Sequence, residues 1–266
     1  MYVESVGPVG GGAQQPPIGG VTQQLPGGGG GGETTELVAL HGGTGTGRFH
    51  WSKQLKALSR EYRVHLPDLP GHGRTPLPDD GSYSPQVLVD AVRRLLTDLG
   101  PPVHVLAFSM GGHASLALAS SDPGLFASLV LVGVSLREHR GLDAWRSKFD
   151  PDELQASFPL WARQLSKLHE PLGGPAAWKD VCRRDAKGLR VDVDVDSLAG
   201  LGCPTMLVRG DRDMAVDPGQ YAELRLLWPH ADELVVPGGG HDVQLTRARV
   251  VGPALVDFLD RARRNP

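Results

Sequence analysis

The chain runs to 266 residues, 40% of them hydrophobic and 21% charged, with a formal net charge of −3. That length and apolar content suit one globular domain with a large core and room for an insertion. The near-neutral charge leaves no electrostatic footprint for nucleic acid or an anionic membrane as partner, and no apolar run approaches a membrane span.

The N-terminus carries neither a basic n-region nor an apolar h-region, because Gly and Pro interrupt every short run, so a cytoplasmic protein is expected. Cys182 and Cys203 lie far apart without metal-type spacing and read as free or buried thiols of a reducing compartment. Residues 1–35 form an N-terminal segment: a candidate edge strand at 1–6, then a Gly-, Pro- and Gln-rich stretch over 7–32 that cannot bury a core and reads as a loop or linker. Its glycine run at 27–32 is followed by no Gly-Lys-Ser/Thr and no helix start, so it is not a phosphate cradle.

From Glu36 the pattern becomes regular strand–helix alternation. Strands are expected at 37–40, 63–66, 103–108, 129–134, 205–209 and 233–236. Their apolar residues run continuously, which indicates strands buried on both faces of a parallel sheet. Helical patterns lie between them: Trp51, Leu55 and Leu58; Val87 to Leu99, stopped by Gly100-Pro101-Pro102; and a last helix over 245–263. The alternation breaks over 136–196, a charged and aromatic stretch with helical pieces near 152–168 and 175–187 and no strand. The expected fold class is therefore α/β: a mostly parallel, doubly wound sheet, its core divided into 36–135 and 197–266, with a helical lid at 136–196 inserted before the fifth core strand.

The strand at 103–108 ends on Ser109, and the small-residue helix Met110-Gly111-Gly112-His113 begins at once. A serine hydroxyl is a poor nucleophile near neutral pH unless position and partners activate it. A sharp strand-to-helix turn lifts its Oγ out of the sheet and puts free helical N–H groups behind it. Such a turn tolerates only small residues two positions either side, here Ala107 and Gly111; the usual G-x-S-x-G form has glycine at the first. A base and an orienting acid must arrive later in the chain.

His241 sits in Pro237-Gly238-Gly239-Gly240-His241-Asp242, between the last strand and the last helix, where glycines let the loop fold back. The competing histidines fit structural roles: His72 reads as a turn-former, His104 as a strand residue, and His50, His139, His169 and His230 as helical or exposed. For the acid, three aspartates follow the strand at 205–209. Asp217-Pro218 reads as a helix N-cap and Asp211, directly after a turn glycine, is expected to point away, which favours Asp213 with Asp211 as the alternative. An oxyanion needs two N–H donors: one from Met110 and one from the loop His41-Gly42-Gly43-Thr44-Gly45-Thr46-Gly47.

Taken in order, His41-Gly42 after a strand, Asp68-Leu69-Pro70-Gly71-His72-Gly73, the Ser109 turn, Pro204, Gly210-x-x-Asp213 and Gly240-His241 resemble the α/β-hydrolase fold family, in its compact, lidded esterase and lactonase form. The resemblance covers about residues 36 to 263. It implies a Ser109–His241–Asp213 triad, Gly43 and Met110 N–H groups at the oxyanion, and a lid contributing pocket residues. Thr44 and the lid aromatics Trp145, Phe149, Phe158 and Trp161 are the candidates for substrate contact, with a minority of the lid aromatics, Trp178 included, expected at the pocket. The lid cations Arg137, Arg140, Arg183 and Arg184 read as a solvated face rather than a carboxylate clamp.

The reaction expected is hydrolysis of an ester, thioester or lactone of a small-to-medium, largely apolar acyl substrate, with no metal or organic cofactor. The same fold and triad also serve carbon–carbon hydrolases, acyltransferases and cofactor-free haloperoxidases. A non-catalytic binding protein is the remaining alternative, disfavoured because every triad position and the oxyanion glycines are present.

Overall fold

The computed structural model describes residues 1–8, 22–24, 35–188 and 192–264. Most of the Gly-rich 7–32 stretch therefore lies outside the described residues. Eight strands form one sheet: β1 (Val3–Gly7), β2 (Thr22–Gln24), β3 (Thr35–Leu40), β4 (Tyr62–Pro67), β5 (Val103–Phe108), β6 (Phe126–Val132), β7 (Thr205–Gly210) and β8 (Asp232–Val236), in the order β2-β1-β4-β3-β5-β6-β7-β8. Every neighbouring pair is parallel except β1 with β4. The candidate N-terminal edge strand is real but not at the edge, because the three-residue β2 pairs outside it.

Helices lie on both faces: α1 (Gly47–Trp51), α2 (Leu55–Leu58), α3 (Pro85–Leu99), α4 (Met110–Ser121), then after an insertion α9 (Pro218–Leu227), α10 (Val243–Thr246) and α11 (Ala248–Arg264). Alternate residues of each buried strand feed opposite layers. Val105 and Ala107 pack with α3, α4 and α9 through residues such as Val92, Leu116 and Leu224. Leu106 and Phe108 pack with α1, α2 and α11 through Trp51, Leu58 and Leu255. The doubly wound expectation thus holds, and the continuous apolar runs reflect burial on two sides.

Local chemistry explains the boundaries. Ser84 caps α3 by accepting the Val87 N–H, Pro85 opens it, and Gly100 closes it at φ 81°. The single helix expected around Trp51 to Leu58 is two short pieces, and the last helix breaks at Arg247 into α10 and α11.

The insertion between β6 and β7 holds α5 (Arg140–Arg146), α6 (Pro151–Ser157), α7 (Pro159–His169) and α8 (Ala177–Gly188). Pro159 splits the piece expected over 152–168, since proline cannot supply the helical N–H and disfavours helical backbone before it. Three of them, α6, α7 and α8, pack on a small core of Leu154, Ala162, Leu165, Trp178 and Cys182. At their root the Val193 N–H donates to Leu136 O at 2.9 Å, closing the insertion like a clasp. No helix among the described residues is long and apolar enough to cross a membrane.

Candidate active site

Ser109 ends β5 with φ 47° and ψ −112°, a conformation costly for any residue with a Cβ. The turn is fixed on both sides: the Ser109 N–H donates to Val132 O at 2.9 Å, and the Gly111 N–H donates to His41 O at 3.0 Å. A Cβ on Gly111 would stand 2.6 Å from Leu40 Cβ, and one on Gly112 would stand 2.3 Å from Val134 Cγ2. Glycine is thus required at both positions by the close passage of α4 over the strand ends.

His241 Nε2 lies 2.9 Å from Ser109 Oγ, and its Nδ1 lies 2.8 Å from Asp213 Oδ2. The other Asp213 oxygen accepts the Ala215 N–H at 2.9 Å, so the carboxylate is held at both ends. The His241 loop folds back against the Asp213 loop, with the Arg212 N–H donating to Gly239 O at 3.0 Å. Gly133, just past β6, lies beneath the pair with φ 61°, and a Cβ there would be 3.1 Å from the His241 ring. Asp211 is exposed, and Asp217 caps α9 by accepting from Gly219 and Gln220 N–H.

A cavity of about 300 Å³ opens over Ser109, walled by core residues such as Phe108 and by the insertion. Gly43 and Met110 line it, and among the described residues neither N–H is hydrogen-bonded to another protein group. Both donors are therefore available to an oxygen placed beside Ser109.

The sequence model of the alpha/beta hydrolase family matches residues 37–253, which spans all three members of the relay. The chain belongs to the alpha/beta hydrolase family. An esterase of Mycobacterium tuberculosis is 29% identical over 253 residues, covering 84% of this chain and 82% of that protein. A pimeloyl-[acyl-carrier protein] methyl ester esterase of Nitrosospira multiformis is 25% identical over 233 residues, covering 79% and 88%. Among solved structures, NosK from Streptomyces actuosus superposes with a TM-score of 0.69 at 27% identity, covering 87% of this chain and 100% of that one. Family and relatives together make the chain a hydrolase.

Of the substrate-contact candidates in this hydrolase, Thr44, Trp145, Phe149 and Trp161 line the cavity. Phe158 does not. It sits at the α6–α7 break, 62% exposed on the outer surface. Trp178 is buried in the insertion's own core, so three of the five lid aromatics, a majority, face the site. Arg137 pairs with Glu223 and Arg183 with Asp180 at half-exposed positions, as a solvated face does. Arg184 differs, donating to Gly71 O at 3.0 Å.

Sequence reasoning missed several residues at the cavity. His50 and His113 line it, and burial first, then neighbouring charge, pushes each imidazole down to about 3, which keeps them neutral. Arg146 lines it too, its Nη2 donating to Glu138 at 2.9 Å. Asp185 of α8 reaches the loop between β3 and α1, accepting the Thr44 N–H. His113 closes the Met110-Gly111-Gly112-His113 stretch after Ser109, whereas no motif marks His50, Arg146 or Asp185. His72, read as a turn-former, and His169, read as helical or exposed, are both fully buried; His169 ends α7 and bonds Thr44 O of that same loop.

Proposed function

We propose that this hydrolase is a serine esterase that cleaves an ester, thioester or lactone of a small-to-medium, largely apolar acyl group through an acyl-enzyme on Ser109. The observation that carries the reading is the unbroken Ser109–His241–Asp213 relay opening onto the two unengaged N–H groups of Gly43 and Met110.

With Asp213 accepting from Nδ1–H, His241 presents the Nε2 lone pair to the Ser109 hydroxyl. Ser109 Oγ attacks the acyl carbon, its proton passes to His241 Nε2, and the carbonyl oxygen takes the negative charge facing the Gly43 and Met110 N–H groups. Asp213 stabilises the imidazolium. The carbon–oxygen (or carbon–sulfur) bond to the leaving group breaks as His241 returns the proton to it. Water repeats the sequence in the deacylation half and frees the acid. Preorganised donors of this kind are each worth about 10²–10³ in rate.

The walls support an apolar acyl group. Phe49, Leu142, Trp145, Phe149, Trp161 and Leu245 are among its lining residues, and about 300 Å³ is at the small end of ligand sites. The Trp145 ring centroid lies 4.9 Å from that of His241, tilted by 58°, which puts an apolar wall directly beside the base.

A fluorophosphonate probe together with p-nitrophenyl esters of increasing chain length tests the reading. Wild type should be labelled and should turn over short esters, and Ser109→Ala should lose both, with turnover down roughly 10⁶-fold. A wild type that resists the probe and hydrolyses no ester would end the serine-hydrolase reading. Carbon–carbon cleavage of a ring-fission diketone would instead be exposed by including such a substrate in the panel.

A further inference from the structure

The oxyanion loop between β3 and α1 is gripped at four backbone groups. The Gly42 N–H donates to His50 Nδ1 at 3.3 Å, and His41 Nδ1–H donates to Gly42 O at 2.8 Å; both histidines belong to the core. The other two grips come from the insertion. The Thr44 N–H donates to Asp185 Oδ2 of α8 at 2.6 Å, and His169 Nε2 of α7 donates to Thr44 O at 2.9 Å. The direction of the last bond is fixed, because the Gly73 N–H donates into His169 Nδ1 at 3.0 Å and the proton must sit on Nε2.

Thr44 needs this hold. Its φ is 57°, a left-handed conformation that costs a threonine about 1–2 kcal/mol. Left free, the residue would relax and swing the Gly43–Thr44 peptide, and with it the position of Gly43, whose own N–H lies one peptide back in the Gly42–Gly43 unit that His41 grips at Gly42 O. Asp185 is in turn held by the Tyr83 hydroxyl, which donates to Oδ1, and by His72 Nε2 at 3.1 Å from Oδ2. Burial alone would raise the Asp185 carboxyl, but His72, Tyr83 and the Thr44 N–H outweigh it and leave it below the usual carboxylate range. The group is therefore an ionised acceptor at neutral pH. A Cβ on Gly43 would stand 3.1 Å from Asp185 Oδ2, so the carboxylate also fills the space behind the oxyanion glycine.

We propose that Asp185 and His169, both supplied by the helical insertion, are positioning residues that hold Thr44 in its left-handed conformation and so aim the Gly43 N–H at the oxyanion. The insertion then shares the placing of Gly43 with the core: His41 holds the peptide before it, and α7 and α8 hold the residue after it. This rests on the esterase reading, since it assigns Gly43 the oxyanion.

A pair of substitutions at His169 separates positioning from plain stability. A glutamine amide overlays Nε2 and a leucine-like loss is avoided, so His169→Gln retains a donor to Thr44 O and gives up the Gly73 bond. Asparagine overlays Nδ1, so His169→Asn retains the Gly73 bond and gives up Thr44. With p-nitrophenyl acetate, His169→Asn and Asp185→Asn should each lower kcat by roughly 10- to 100-fold, less than the 10²–10³ for removing a donor outright. KM should stay within about threefold, because neither change reshapes the apolar wall. His169→Gln should recover most of the kcat that His169→Asn loses, even if both melt at the same reduced temperature. Equal kcat in the two His169 variants, or a loss confined to KM in Asp185→Asn, overturns the proposal. A fluorophosphonate-labelled wild type with these outcomes leaves the esterase reading intact while the positioning role fails; an unlabelled wild type removes both.

Discussion

Replacing Gly133 with alanine tests how tightly the His241–Asp213 pair is held from below. The new Cβ would lie 3.1 Å from His241 Cε1 and Nδ1 and 3.3 Å from Asp213 Oδ2, against the ring edge that carries the Asp213 bond. Contacts that short force the ring to give by a few tenths of an ångström. A 1 Å misplacement in an active site can cost about 10² in rate, so a shift of that smaller size predicts a kcat loss of roughly 3- to 10-fold. Gly133 also sits at φ 61°, which adds about 1–2 kcal/mol of backbone strain for alanine. At about 2–4 °C per kcal/mol, the melting temperature should fall by roughly 2–8 °C. Gly133 does not line the cavity, so KM should hold. Steady-state kinetics with p-nitrophenyl butyrate beside a thermal melt gives all three numbers. Gly252→Ala in α11, where an added Cβ meets nothing within 4 Å, is the control and should keep kcat while holding or raising the melting temperature. If Gly133→Ala melts lower yet keeps wild-type kcat, ring contact from below does not set the position of the base.

Asp213→Asn should lower kcat by about 10⁴ by disrupting the imidazole's orientation and charge stabilisation, while Asp211→Asn stays near wild type; the reverse ranking refutes the acid assignment. Phe149→Ala and Trp161→Ala should reduce kcat/KM more for longer acyl chains than for acetyl, whereas Phe158→Ala should leave the chain-length profile unchanged; competition between acetyl and hexanoyl esters reads the difference. Stability should fall as pH drops below 6.5. Burial is the leading cause that holds His50 and His113 at about 3 and His104 and His169 at about 4 in the folded chain, so the unfolded chain binds more protons between those values and 6.5. Asp68, raised to about 6 chiefly by burial, opposes this between 4 and 6 but is one group against four. A melting temperature at pH 5 equal to that at pH 7.5 would contradict the neutral buried state of these histidines.

What the sequence made legible was whatever leaves a local chemical mark. Strands buried on both faces appear as unbroken apolar runs, as at β5 and β6, while the edge strand β8 is half exposed and was marked by its apolar end and flanking turns; β3 to β8 were all found within a few residues. Ser109, Asp213 and His241 each follow a strand end in chain order, and the topology of parallel strands brings such ends together at one edge of the sheet. The insertion resisted reading because its helices pack on one another and on the site. Phe158 and Trp161 look alike in sequence, yet the turn at Pro159 sends one to solvent and the other to the cavity. Asp185 and His169 were invisible for a related reason. Each meets the loop between β3 and α1 across more than a hundred residues, and nothing in a helix's own periodicity says which polar residue its partner will need.

Ala107 bears on what the turn at Ser109 requires. The usual motif places glycine there, yet Ala107 is fully buried in β5 between Leu40 of β3 and Leu131 of β6. Its methyl belongs to the core layer beneath α4. The crowding that demands glycine falls on the helix side, at Gly111 and Gly112, where α4 crosses the ends of β3 and β6. A strand residue can direct its Cβ into the sheet's own packing, whereas the first turn of the helix has nowhere to put one. Gly111→Ala should therefore cost far more than Ala107→Gly. The first forces a carbon to 2.6 Å from Leu40 Cβ and 2.8 Å from His41 O, at the root of the loop between β3 and α1. The second loses one buried methyl and some backbone rigidity, about 1–2 kcal/mol together. Fluorophosphonate labelling rates of the two variants read that asymmetry directly: near wild type for Ala107→Gly, and severely slowed for Gly111→Ala.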